Sequence, residues 1–145
     1  MDFKQGFVGV VFSIISLGLV ACEQPLKVDP QVVAGDFYAS LKNKNFEQAS
    51  ELFSAGMEKR VSHQAWIEFM AGVQADLGNL TGVRFKNIET NTVRTGRMFI
   101  FDVAASYENG NAAETLSLFQ GLSATDLEAV AYEVKANGLT VHTPR

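Results

Sequence analysis

One thiol is the first candidate for chemistry. Cys22 is the chain's only cysteine, and it stands in the stretch Ser16-Leu-Gly-Leu-Val-Ala-Cys22-Glu-Gln-Pro25, directly behind an apolar run. A thiolate is a strong nucleophile and can accept a covalent group. Without a second cysteine there is no Cys-x-x-Cys motif, and a redox role is not expected. The two histidines, His63 and His142, have no companions at ligand spacing, so no metal site is expected, and His63 reads as a first-turn surface residue. No Gly-x-Ser-x-Gly elbow, P-loop or dinucleotide fingerprint occurs. Four cations, Arg84, Lys86, Arg94 and Arg97, gather around one predicted hairpin. They suit a solvated edge that discourages strand pairing, or contact with anionic lipid or an acidic partner.

What precedes Cys22 decides its use. Lys4 and the α-amino group make a short positive start, diluted by Asp2. Phe7 to Val20 is apolar, and the small Ala21 follows. A positive start, an apolar run and a small residue form a secretory signal; a spanning helix needs about 20 apolar residues, and this run is shorter. Leu19-Val20-Ala21-Cys22 resembles the lipobox of bacterial lipoproteins. That resemblance implies a diacylglyceryl group on the Cys22 thiol, cleavage between Ala21 and Cys22, and acylation (a palmitate-type chain) of the new amino group. Each buried methylene is worth about 0.8 kcal/mol, so several chains hold firmly where one holds marginally. Glu23, rather than aspartate, after the cysteine resembles the pattern sent to the outer membrane. The expected address is therefore the bacterial cell envelope, on the periplasmic face of that membrane.

Removing residues 1–21 takes away Asp2 and Lys4 together and leaves the chain's net charge of −4 unchanged. Such acidity argues against nucleic acid, which needs a basic face. About 120 residues remain, enough for one domain with its own core. Residues 22–29 read as the lipidated cysteine and a short linker, 30–137 as the domain and 138–145 as a loose tail. The linker reaches only about 25 Å when extended, which keeps the domain close to the membrane.

The elements that position the polar groups follow from spacing. Asp29-Pro30 starts a helix carrying Val33, Phe37, Tyr38 and Leu41 at helical intervals. Asn45 and Gln48 form a capping pair for a second, short helix that Gly56 ends. Ser62 caps a third, with Trp66, Phe69, Met70, Val73 and Leu77 on one face and Gly78 as its stop. The period then changes to two. Val83 and Phe85 alternate with Arg84 and Lys86, Arg97 to Tyr107 makes a longer strand, and Glu108-Asn-Gly-Asn111 turns the chain. Ala113 to Gln120 and Leu127 to Ala136 complete about four strands. The expected core is Trp66, Phe69, Phe99, Phe101, Val130 and Tyr132.

Helices followed by antiparallel strands make an α+β domain, with the N-terminal helices packed on a curved sheet. This order resembles the cone-shaped nuclear-transport-factor-2-like and cystatin-like fold. Ala65-Trp66, Asp76-Leu77-Gly78-Asn79-Leu80 and Arg84 are similar to the bacterial family called domain of unknown function 4019, over Gly35 to about Val134. The fold also resembles that of ketosteroid isomerases, which place a carboxylate base and a neutral hydrogen-bond donor in an apolar cone. That resemblance makes Asp36, Tyr38, Tyr107 and Tyr132 the polar candidates, with Trp66 and Phe99 as walls; Asp102 alternates outward. On the opposite face of the sheet, Met98, Ile100, Ala104, Ala129 and Ala131 are apolar or small where solvent favours charge. Such a patch marks an interface, either of a homodimer or with an envelope partner. Three readings stand: a binding protein for an apolar ligand or another protein, an isomerase- or hydratase-type enzyme, and a structural subunit with a filled interior. No cofactor is implied.

Overall fold

A computed structural model describes residues 25–145. The signal segment, Ala21, Cys22 and Glu23 lie outside the described residues. Helix α1 spans Pro30–Lys42, with the Asp29 carboxylate accepting from the Gln31 N–H at 2.7 Å and Pro30 in the first turn. It buries Ala34, Phe37, Tyr38 and Leu41. Helix α2, Phe46–Ser50, opens with the expected pair: Asn45 accepts from the Gln48 N–H and its amide donates to the Gln48 side chain at 2.8 Å. Gly56 does not end this helix. It sits in a separate helix α3, Ala55–Arg60, because Ser54 caps a new turn by accepting from the Met57 N–H and Met57 is buried. Helix α4, His63–Leu77, is capped by Ser62 and buries Trp66, Phe69, Met70, Val73, Gln74 and Leu77.

Gly78 stops α4 at φ 82°, in the left-handed region that favours glycine, and a Cβ there would lie 2.8 Å from that of Glu108. The approach has a purpose. Glu108 accepts from the Asn79 backbone N–H at 2.9 Å and from its side-chain amide at 3.0 Å, while Asn109 N–H donates to the Leu77 carbonyl. The end of α4 is thereby tied to a hairpin of the sheet.

Four antiparallel strands, β1 (Leu80–Val93), β2 (Gly96–Tyr107), β3 (Gly110–Gly121) and β4 (Glu128–Lys135), lie in sequence order. The fold is α+β as expected, with helices and sheet sharing one core. Strand β1 is far longer than the alternation at Val83–Lys86 implied. It pairs with β2 from Leu80↔Tyr107 to Val93↔Gly96, because β2 offers a hydrogen-bonding edge along its whole length. Irregularities after Leu80 and after Phe85 keep Val83, Phe85 and Ile88 opposite Ala105, Val103 and Phe101.

A third irregularity corrects two expectations. Ser117 pairs with Ala131 but Leu118 pairs with Ala129, so Val130 is the extra residue of a bulge. The bulge resets the alternation. Ala129 turns into the core, completely buried, rather than joining Ala131 on the outer face, and Val130 leaves the core to become half-buried. Phe53 fixes this geometry by bridging to Ala129, with Ala129 N–H donating to the Leu52 carbonyl and Ser54 N–H to the Ala129 carbonyl.

The core is a lattice of rings. Phe37 meets Tyr132 at 5.1 Å and Tyr38 at 5.3 Å, Phe53 meets Trp66 at 5.0 Å, and Phe69 meets Tyr132 at 6.2 Å, all edge-on. Phe85 links Tyr38 to Phe101. Edge-to-face pairs of this kind add about 0.5–1.5 kcal/mol each beyond their burial. The segment expected as a loose tail is docked in part. After Asn137-Gly138 the chain reverses, Thr140 donates to Asp76 through its N–H at 2.7 Å and its hydroxyl at 3.0 Å, and Val141 packs against Gly72.

Candidate functional site

Among the described residues the inner layer holds one carboxyl group. Glu114, on β3, is completely enclosed and receives the Tyr107 hydroxyl at 2.6 Å on Oε1 and the Tyr132 hydroxyl at 2.8 Å on Oε2. The Tyr38 hydroxyl faces the same carboxyl without a hydrogen bond of acceptable geometry. Burial pushes the Glu114 carboxyl above the usual carboxylate range, against the opposing pull of the tyrosine hydrogen bonds. Burial and the neighbouring carboxyl hold all three phenols well above their ordinary value, so they stay neutral. A neutral Glu114 can accept from two phenols and still donate a proton of its own, and Tyr38 is the acceptor within reach.

Of the residues expected in a pocket, the structure brings together Tyr38, Tyr107 and Tyr132. Asp36 is excluded from the cluster: it lies on the exposed side of α1, because two residues along a helix rotate by roughly 200° and carry it away from the face of Tyr38. Trp66 and Phe99 are buried walls of the core, and the Trp66 indole N–H has no partner among the described residues. The carboxylate of the cluster is therefore Glu114, which sequence reading missed. A signal was present, since Glu114 shares the parity of Ala112, Leu116 and Leu118 on β3, all buried. On the outer face Met98, Ile100, Ala104 and Phe119 are half-buried and Ala131 is exposed, while Asp102 points outward as expected.

A second feature lies at the other edge of the sheet. An open groove of about 1190 Å³ runs between β4 and the returning tail. Val130, Ala131, Glu133 and Lys135 line it from β4, Leu139, Val141 and Arg145 from the tail, and Arg60 and Trp66 also belong to the lining. The direction of its walls follows from the contacts. Strand β4 starts beside Phe53 and ends opposite Ala113, and the tail runs back from Asp76 and Gly72 toward the start of α4. The tail is thus antiparallel to β4 across the gap.

His63 is more than the surface residue expected at the start of α4. Its Nδ1 lies 2.9 Å from Glu58, and its Nε2 lies 2.9 Å from the Ser50 hydroxyl and 3.5 Å from Glu47, so it joins α2, α3 and α4. The Glu58 hydrogen bond, with Glu47 in support, raises its pKa above the usual imidazole value. Among the described residues no three His, Cys, Asp or Glu side chains gather as a metal site would require, and no helix is long and apolar enough to cross a membrane. Neither a protein-family model nor a curated protein matches the chain.

Proposed function

We propose that this chain is a lipid-anchored protein of the bacterial envelope, held through Cys22 at the periplasmic face of the outer membrane, whose domain works by binding a partner protein. The observation that carries the binding part is the occupied inner layer. The interlocked rings of Phe37, Phe53, Trp66, Phe69 and Tyr132 fill the space where an apolar ligand would sit. Glu114 is engaged by two phenols rather than aimed at an opening. Recognition then falls to the outside of the domain. Affinity capture of the full-length chain from detergent-solubilised envelopes tests this: a protein that co-purifies at constant ratio through a second sizing step is expected. Recovery of a small apolar molecule from the purified chain by native mass spectrometry, with no protein partner, would refute it.

The anchor is tested separately. Cys22→Ser should leave the precursor uncleaved after Ala21 and without lipid, and normal maturation of that variant would remove the lipoprotein reading. A second reading of the partner is another copy of the chain, favoured by the row Met98, Ile100 and Phe119 on the outer face. Light scattering of the purified protein at high concentration decides it, since a strict monomer excludes the homodimer.

A further inference from the structure

Strand β4 ends the sheet, and among the described residues its outer edge is paired only at its beginning. There Ala129 exchanges hydrogen bonds with Leu52 and Ser54. From Val130 to Lys135 no backbone group among the described residues meets that edge. An open edge is a template for another strand, and proteins normally block it with short length, charge or a covering segment. Here the segment that could cover it, the tail from Leu139 to Arg145, stands off across the groove instead. Thr140 is held to Asp76 and Val141 to Gly72, which keeps the tail on α4 rather than on β4.

The gap has the dimensions and chemistry of a strand site. Roughly six residues of free edge extend about 20 Å. The volume of about 1190 Å³ exceeds the roughly 300–1,000 Å³ typical of pockets for small ligands. Its apolar side chains, Val61, Val130, Leu139 and Val141, can receive alternate side chains of an extended peptide. Its charge is cationic on an otherwise acidic protein. Among the described residues three cations, Arg60, Lys135 and Arg145, line the groove against one side-chain carboxylate, Glu133, which lies 2.8 Å from Lys135. The buried indole N–H of Trp66, without a partner among the described residues, belongs to the same lining.

We propose that the groove between β4 and the returning tail takes up an extended acidic segment of a partner protein, which adds to the free edge of β4 as a fifth strand. Main-chain hydrogen bonds to β4 supply affinity; the apolar side chains of the groove read every second residue, and Arg60 and Arg145 select acidic ones. The proposal rests on the reading of the domain as a protein-binding module and specifies where and what it binds.

The test uses the full-length chain in detergent and a fluorescein-labelled hexapeptide of alternating valine and glutamate, read by fluorescence polarisation. Saturable binding is expected, with affinity falling as salt rises and at least tenfold weaker binding of the valine–lysine counterpart. Arg60→Gln with Arg145→Gln should weaken binding roughly three- to thirtyfold. Methylating alternate backbone nitrogens of the peptide should abolish binding in one of the two registers and spare it in the other. Hydrogen exchange completes the set: amides of 130–135 facing the edge should be unprotected in the free protein and protected by the peptide. Absence of binding, equal binding of the lysine peptide, or indifference to both methylation registers overturns the proposal. So does protection of that edge in the free protein, which would mean that the tail already fills it. An envelope partner captured equally by the wild type and by the double Arg variant would overturn the groove while leaving the partner-binding reading intact.

Discussion

Glu114→Gln should make the protein less sensitive to rising pH. The glutamine keeps the shape of the side chain, still accepts a phenol hydrogen bond through its carbonyl, and offers an N–H that the carboxylate lacks. Only the ability to ionise is lost. Because burial raises the folded pKa of Glu114, the folded protein retains a proton that the unfolded chain releases near pH 4.3. The wild type is therefore favoured fully below the unfolded pKa. It loses stability as pH climbs toward the folded value, at a slope of up to about 1.4 kcal/mol per pH unit. Denaturant unfolding of wild type and Glu114→Gln between pH 4 and 8 reads this directly. The difference between the two should change in favour of the variant as pH rises, leaving it equal or more stable at pH 7. Glu114→Ala separates charge from packing. It strips the partner from the Tyr107 and Tyr132 hydroxyls, and at about 1–3 kcal/mol for each orphaned group it should lie about 2–6 kcal/mol below Glu114→Gln at every pH. Parallel pH profiles for wild type and Glu114→Gln would refute a proton held on Glu114. A glutamine variant as damaged as the alanine one at pH 7 would show that the carboxylate itself is required.

Three further outcomes follow from local geometry. Gly78→Ala places a Cβ at φ 82° against Glu108 and should lower stability by more than about 1 kcal/mol in thermal or denaturant unfolding; an unchanged midpoint would contradict the tight α4–hairpin join. His63→Gln should remove a stabilisation that the wild type has in full below about pH 6.5 and loses as pH rises through the raised folded pKa. Unfolding midpoints of both proteins at pH 6 and pH 8.5 check it, and a wild-type advantage that grows with pH would refute the clamp. Asp76→Asn weakens the anchor of Thr140, whose hydrogen bonds hold the Asp76 pKa below the usual carboxylate range. The variant should show faster amide exchange at Thr140 and Val141 and faster trimming of the tail by carboxypeptidase, whereas unchanged exchange would place the tail's attachment elsewhere.

The amino-acid sequence by itself carried whatever depends on neighbours along the chain. Asp29, Asn45 and Ser62 announce their helices because a cap is satisfied within three residues. The inward row of β2, from Phe99 to Tyr107, is legible because strand parity is a local rule. The lipobox resemblance at Leu19 to Cys22 is likewise a matter of adjacent residues. What distance along the chain conceals was decided only by tertiary structure. Glu114 reads as an ordinary strand glutamate until Tyr107, Tyr132 and Tyr38 arrive from three other elements and make its burial tolerable. Alternation in β4 failed at Val130, because the bridge between Phe53 and Ala129 imposes a bulge that nothing inside β4 encodes. The tail looked loose because its partners, Asp76 and Gly72, lie more than sixty residues earlier. Folding brings them beside β4, and the groove exists only because they hold the tail away from the edge.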